Sequence, residues 1–465
     1  RPYWEEEPDN YLVQRHEHDI FPVLRRRILF AGVENFLLYD FHPGEGRVDE
    51  NVFAYSNGVG GQRALVVYHN HYGVTRGWIK HSARFLNKAS NQIETKALSE
   101  GLRIGAAPNR FVVFKEIHSD LEYIRSTEEV RDKGLYFELD AYAYKVFADF
   151  RAVDDNETGQ YRQLASYLNG RGVPNINDAI RELMLAPVLN PARELINPQN
   201  LQWVFQARVT DPASKLNPDV LNVQSEKFRY LIQSVNGFIH GYQDTEAIIQ
   251  EMQSGLESIL KLRVFETRYP FPGSQQYSEI IAYIQNNLVD YSFIWTVLVI
   301  WNDLRLLGRL ISQEPQYAEI SRSWLEEWGL ARHVDQTLQV LGFDAGQAHS
   351  AVTILKLLVS QQRWTSELEE QTAAGLVEKW LEDQETRSFL GVNRYRDVLW
   401  FNKEAFESMM WWMMTIGLID QVSQPEASLT EAVEKLFEAY KLIEQILEAE
   451  KVSDYQVEKL LEGLK

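Results

Sequence analysis

Cysteine is missing altogether from these 465 residues. That excludes disulfides, thiol nucleophiles and thiolate metal sites, and it removes the commonest sign of an oxidising compartment, so a cytoplasmic setting is expected. Positive charge is scarce as well: 47 Lys and Arg stand against 66 Asp and Glu, a formal net charge of −19. Such a balance repels phosphate backbones and anionic lipid heads. No nucleic acid and no membrane surface is therefore expected as partner, and neutral or cationic ligands fit better. No apolar run is long. Tyr291 to Trp301, YSFIWTVLVIW, is fenced by Asp290 and Asp303 and falls short of the roughly 18 to 20 residues that a span needs. It reads as a buried helix. Phosphate-cradling motifs are lacking too, because the glycines of NGVGG at Asn57 to Gly61 are followed by a strand-like segment and not by a helix with a Lys. They read as a hairpin turn, and no cofactor is expected.

What the chain does have is core-forming material. Its hydrophobic content is 45%, with 12 Trp, 22 Tyr and 22 Phe, which is that of a packed protein. The length exceeds what one core supports, so several domains are expected. The chain opens at Arg1 on the acidic stretch PYWEEEPDN with no basic-then-apolar leader, which reads as a cut end.

Between Asp19 and Leu29 the apolar positions Ile20, Val23, Leu24, Ile28 and Leu29 recur at helical spacing, which predicts a helix capped by Asp19, with Pro22 in its first turn and Gly32 as its stop. The period then changes to that of strands in VENFLLYDF, VFAYS, RALVVYH, FVVFKEI, LEYIRS and LYFELDAYAYKVFADF. In the last of these the alternation changes face near Asp140 and Ala141, where a bulge or bend would reconcile the two halves. A short helix is expected from Thr127 to Lys133, closed by Gly134. Past Asp154-Asp155-Asn156 nearly every segment has helical period, with Ser, Thr, Asp or Asn at the starts. The fold class expected is multidomain: residues 1–32 a terminal helix and linker, 33–155 an antiparallel β-sandwich-like domain, and 156–465 a large all-α domain with the Asn- and Pro-rich stretch 190–218 as its loop-like divide.

HEHDIFPVLRRRILFAGVENFLLYDF at His16 to Phe41 and VFAYSNGVGGQRALVVYHNHYGVTRGWI at Val52 to Ile79 lay out a helix, a strand and a hairpin of alternating aromatics. VFAY at Val52 to Tyr55, followed by a polar turn and RALVVYHN, is the most characteristic piece. In this layout Asn10 to Ile79, and less specifically the chain on to Phe150, resembles the end of the barrel and the C-terminal β domain of the α-amylase family of glycoside hydrolases. The resemblance covers about a third of the chain and stops short of the helices. It implies a parent enzyme that acts on α-glucans with an Asp nucleophile and a Glu acid/base. Those carboxylates would sit on barrel strands preceding residue 1, so no catalytic residue is carried over. The upstream barrel of the same polypeptide is then the expected partner, and the chain is a non-catalytic region that stabilises or regulates it. Ile20, Phe21, Leu24, Ile28 and Leu29 are the expected docking face.

The residues themselves offer few other sites. Trp78 on a strand and Tyr72 beside a turn are the aromatic candidates for stacking on an α-glucan. Glu138 and Asp140 share a strand face and read as solvated. His69 and His71 have no third ligand in view, and His16 and His18 diverge on a helix, so no metal centre is expected. Trp295, Trp301, Trp324, Trp328, Trp364, Trp380 and Trp400 read as helical core, while of Trp411 and Trp412 one should face outward, toward another domain or subunit. Glu404, Glu407, Asp397 and Asn402 lie close in sequence but read as caps and solvated faces. The alternative function is a helical scaffold that oligomerises or binds carbohydrate or a protein partner.

Overall fold

The computed structural model describes residues 9–44, 46–88, 90–241, 245–265, 275–288, 292–312, 316–366, 368, 372–423 and 429–465. The acidic opening to Pro8, Asp244, and Asp290 with Tyr291 lie outside the described residues. The chain divides into two compact units, Arg1–Met184 and Leu185–Lys465. No helix among the described residues is long and apolar enough to cross a membrane.

Ten strands order the first unit: β1 (Leu37–His42), β2 (Val52–Val59), β3 (Gln62–His69), β4 (Thr75–Ser82), β5 (Phe85–Asn87), β6 (Gln92–Glu94), β7 (Arg110–Glu116), β8 (Glu122–Ser126), β9 (Leu135–Leu139) and β10 (Tyr144–Asp154). β5 and β6 form a separate hairpin, and the other eight make one antiparallel sheet in the order β8-β7-β10-β3-β2-β1-β4-β9. This sheet curls into a half-barrel. The eight strands form one continuous hydrogen-bonded sheet. Irregular pairing at Tyr39/Phe41 and Ala148/Arg151 supplies the local bends that curl such a sheet. Its inner face buries Phe41, Leu65, Val67, Ile79, Phe114, Phe137 and Phe147.

Several local expectations change in the structure. Val59 pairs with Gln62, so Gly60 and Gly61 are the two-residue turn of the β2–β3 hairpin, with Gly60 at φ 55°. The change of face near Asp140 is not a bulge but a strand break. β9 lies at the sheet edge on β4 and β10 lies between β3 and β7, with Tyr142 at φ 57° in the turn. The short helix is Thr127–Asp132, and Gly134 N–H closes on Val130 O at 3.0 Å. The first unit also runs past 155, because Leu164, Leu168, Ile176 and Ile180 on two helices bury against Phe111, Val113 and Ile124.

The N-terminal helix starts earlier than its periodicity suggests. Asp9, not Asp19, caps it, accepting from Tyr11 N–H and Leu12 N–H. Asn10–Arg15 is α-helical, His16–Ile20 is a π turn in which Phe21 N–H bonds His16 O, and Phe21–Leu24 resumes the α form. Pro22 explains the wide turn, since its ring crowds the carbonyl four residues back and it offers no N–H. His118 holds this segment to the sheet: Nε2 lies 2.8 Å from Asp19 O, Nδ1 lies 3.2 Å from Glu116 Oε1, and the ring packs edge-on to Tyr144.

The second unit is helical. Its core runs through Phe228, Trp295, Trp301, Trp364, Trp380 and the helix Lys403–Ser423. The stretch 190–218 holds helix as well as loop. The helix Ile176–Leu195 runs into it, and Asn197-Pro198 starts the helix Pro198–Gln206, with Asn197 Oδ1 accepting from Asn200 N–H at 2.9 Å. Asn217-Pro218 starts the helix Pro218–Phe238 in the same way. The apolar run beyond Tyr291 is the helix Ser292–Leu304, with Trp295 and Trp301 buried.

Candidate functional site

Trp78 opens the way to a cavity of about 910 Å³ in the first unit, lined by both edge strands of the half-barrel, β8 and β9, and by β4, β7 and β10. Leaving the barrel unclosed leaves a seam, and this cavity lies along it. On β4 and β9, Trp78 and Tyr136 are directly paired, with ring centroids 5.2 Å apart and planes inclined at 55°. Alternation along β9 explains why they are available: Leu135, Phe137 and Leu139 are buried, while Tyr136 and Glu138 are exposed.

The rim supplies hydrogen-bonding groups of both kinds. Tyr136 Oη donates to Glu138 Oε1 at 3.2 Å, and Glu138 is in turn 3.7 Å from the Arg76 guanidinium. Partial desolvation and the Glu138 carboxylate raise the Tyr136 phenol above its ordinary value, so it remains a donor. Lys145, Asn169 and the Trp78 indole N–H also line the cavity or its platform, and none has a side-chain partner among the described residues. Arg125 has a different task. Its Nη1 donates to Ile124 O at 2.7 Å and its Nη2 to Gly170 O at 3.0 Å, so it clamps the loop that closes one wall. Burial lowers its pKa, partly offset by Glu129. Gly170, at φ 88°, sits against that guanidinium, where a Cβ would come within 3.1 Å of Nη2.

Comparison with protein-family models, with curated proteins and with solved structures finds no match for this chain. The site is therefore read from its own chemistry. A tilted aromatic pair in an open cavity offers flat apolar faces, and the surrounding ammonium, amide and carboxylate offer donors and acceptors for hydroxyl groups. That combination suits a ligand with one apolar face and a polar rim.

The remaining sequence candidates are dispersed. Tyr72 is 80% exposed in the turn after β3 and does not line the cavity. Ile20, Phe21, Leu24 and Ile28 are 41–63% exposed, whereas Leu29 is 4% exposed and packs with Ala64 and Ala148. Leu29 therefore leaves the docking set, because the 3₁₀ turn Arg27–Phe30 directs it into the sheet. His69 is buried with Nδ1 2.9 Å from Asp140 O, and no metal-capable cluster of three or more His, Asp or Glu occurs among the described residues. Glu138 and Asp140 do not form a pair on one strand, since β9 ends at Leu139. Trp411 and Trp412 are both buried. The residues sequence reasoning missed are Tyr136, Lys145 and Asn169. Tyr136 was legible as outward-facing from the alternation of β9, but its register against Trp78 was not.

Proposed function

We propose that this chain is a non-catalytic accessory region of an α-glucan-active glycoside hydrolase of the α-amylase family, which holds glucan at Trp78 and Tyr136 and docks to a catalytic barrel. The observation that carries the reading is the Trp78–Tyr136 pair in the open seam of the half-barrel. Its two inclined rings suit the apolar faces of successive sugar rings in a curved chain, with Lys145, Asn169 and Glu138 placed for their hydroxyls. The layout of His16 to Phe41 and Val52 to Ile79 is the support for the family, and in this reading the half-barrel serves as the sandwich-like C-terminal domain. Docking is supported by Ile20, Phe21, Leu24 and Ile28, four apolar side chains left exposed along a segment that His118 ties down.

Affinity electrophoresis in gels containing soluble starch tests the glucan site. The chain should be retarded, and Trp78→Ala should weaken retention about tenfold, the equivalent of one lost stacking platform. Retention that survives Trp78→Ala and Tyr136→Ala together would remove this site, and a chain that is never retarded would remove the glucan. Docking is tested separately: Leu24→Asp with Ile28→Asp should abolish association with a separately produced barrel.

A further inference from the structure

The helical unit has a cavity of its own, about 960 Å³, between the helices Gln275–Asn287, Ser292–Leu304, Ala345–Ser360, Gln384–Phe389, Lys403–Ser423 and Leu429–Val452. Trp411 and Trp412 both line it, with centroids 5.0 Å apart and planes at 72°. Trp411 is fixed, because its Nε1 donates to Ile284 O at 3.0 Å. The Trp412 indole N–H has no protein acceptor among the described residues.

The polar lining carries charges of both signs. Glu407 lies 3.6 Å from the Lys403 ammonium, so its charge is already met. Glu404 and Lys451, one of each sign, both line the cavity, and neither has an ion-pair or hydrogen-bond partner among the described residues. Glu450 is fully buried beside Lys451 in sequence, both its carboxyl oxygens lack hydrogen bonds, and burial and then Glu407 raise its pKa. His349 and Ser408 complete the lining with groups that both donate and accept.

Charges of both signs around one cavity leave an ion of either sign little electrostatic advantage. Free carboxylate, ammonium, imidazole, hydroxyl and indole groups around buried aromatic rings favour a ligand with many two-way hydrogen-bonding groups and an apolar face. We propose that this cavity is a second binding site, for a neutral oligosaccharide. It stands on residues of the helical unit alone and does not depend on the Trp78 site or on the accessory-region reading.

The test is calorimetric titration of the full chain carrying both Trp78→Ala and Tyr136→Ala, which removes both stacking rings of the first site, with maltohexaose, cellohexaose and xylohexaose in turn. At least one should bind, with affinity unchanged between about 0.05 and 0.5 M salt, as expected of a neutral ligand. Glu404→Ala and His349→Ala replace exposed side chains and should each weaken that binding about tenfold with the melting temperature unchanged. The proposal is overturned if none of the three hexaoses binds, or if binding is indifferent to both substitutions. It is also overturned if a simple amine or carboxylate binds better and its affinity falls steeply with salt. Weakened starch retention in the doubly substituted chain with hexaose binding retained would locate the two activities in separate sites.

Discussion

The two units bury carboxylates in opposite ways. In the β unit Glu116 is buried but fully served: Ser119 N–H donates to it at 2.7 Å, and His118 supplies both its N–H and its ring. In the helical unit Asp303 is buried with one oxygen bonded to Gln224 Nε2 at 2.9 Å and the other unpartnered, and both carboxyl oxygens of Glu450 lack hydrogen bonds. A sheet turns its chain at the edges, where loop N–H groups are free to meet a carboxylate. Helices spend their N–H groups internally, so a carboxyl buried between them must find side chains or go without. The helical unit accordingly carries a side-chain network through its core: Asn200 bonds Gln224, Gln224 bonds Asp303, and Arg305 lies between Glu251 and Asp420.

The largest effect expected from that difference is at Arg305, whose side chain is fully buried. Asp420→Ala removes the acceptor 3.1 Å from Nη1 and leaves a guanidinium leaning on Glu251 alone. A loss of about 3 kcal/mol or more is expected for the helical unit, and the double replacement Arg305→Met with Asp420→Leu should cost less than the single one. Ten of the twelve tryptophans, Trp203 onward, lie in this unit, so urea denaturation followed by tryptophan fluorescence reads it selectively. If the double replacement proves the more damaging, the network is stabilising the fold outright.

Titration should separate the units next. Burial raises Glu116, but Ser119 and His118 outweigh it and its pKa is lowered. Its contribution is therefore present above the ordinary carboxylate range and is lost as pH falls through the lowered folded value. Asp303 is raised well above its ordinary value by burial, against the pull of Gln224 and Lys227, and Glu450 is raised by burial and then by Glu407. Their contributions are complete below the ordinary carboxylate range and fade as pH rises through the raised folded values. Taking the protein from pH about 8 to about 5 should thus stabilise the helical unit while the Glu116 contribution stays intact. Asp303→Asn with Glu450→Gln should abolish that gain. A slope unchanged in the double variant would assign the pH dependence to other groups.

How much of this was legible in the sequence follows the same division. Period and turn chemistry located β1, β2, β3, β7 and β8, the Gly60-Gly61 hairpin and the Thr127 helix, because each is decided within a few residues of itself. The break at Asp140 was visible as a change of face, but nothing local says that the chain there passes from the sheet edge to its middle. Asn197-Pro198 and Asn217-Pro218 read as linker by composition, although Asn followed by Pro is equally a cap and a first turn. Adjacent tryptophans on a helix should diverge, yet Trp411 and Trp412 are both buried because the helix Lys403–Ser423 is covered from Met409 to Gln421. Trp78 was found as an outward aromatic on a strand. Its partner Tyr136 lies 58 positions away and depends on cross-strand register.

The smallest expected effect lies at the rim of the β unit. Arg110 and Asp154 face each other across β7 and β10, with Nε 2.6 Å from Oδ1 and Nη2 3.1 Å from Oδ2. The geometry is bidentate, but the side chains are 36% and 70% exposed, so water already serves both ions. A double-mutant cycle of Arg110→Ala and Asp154→Ala, read by urea denaturation, should return a marginal coupling at low salt and none beyond experimental error at high salt. A coupling as large as the loss at the buried Arg305 pair would exceed what exposed pairs give. The β unit would then draw electrostatic stability from its edge much as the helical unit does from its core, and the contrast between the units would reduce to one of location.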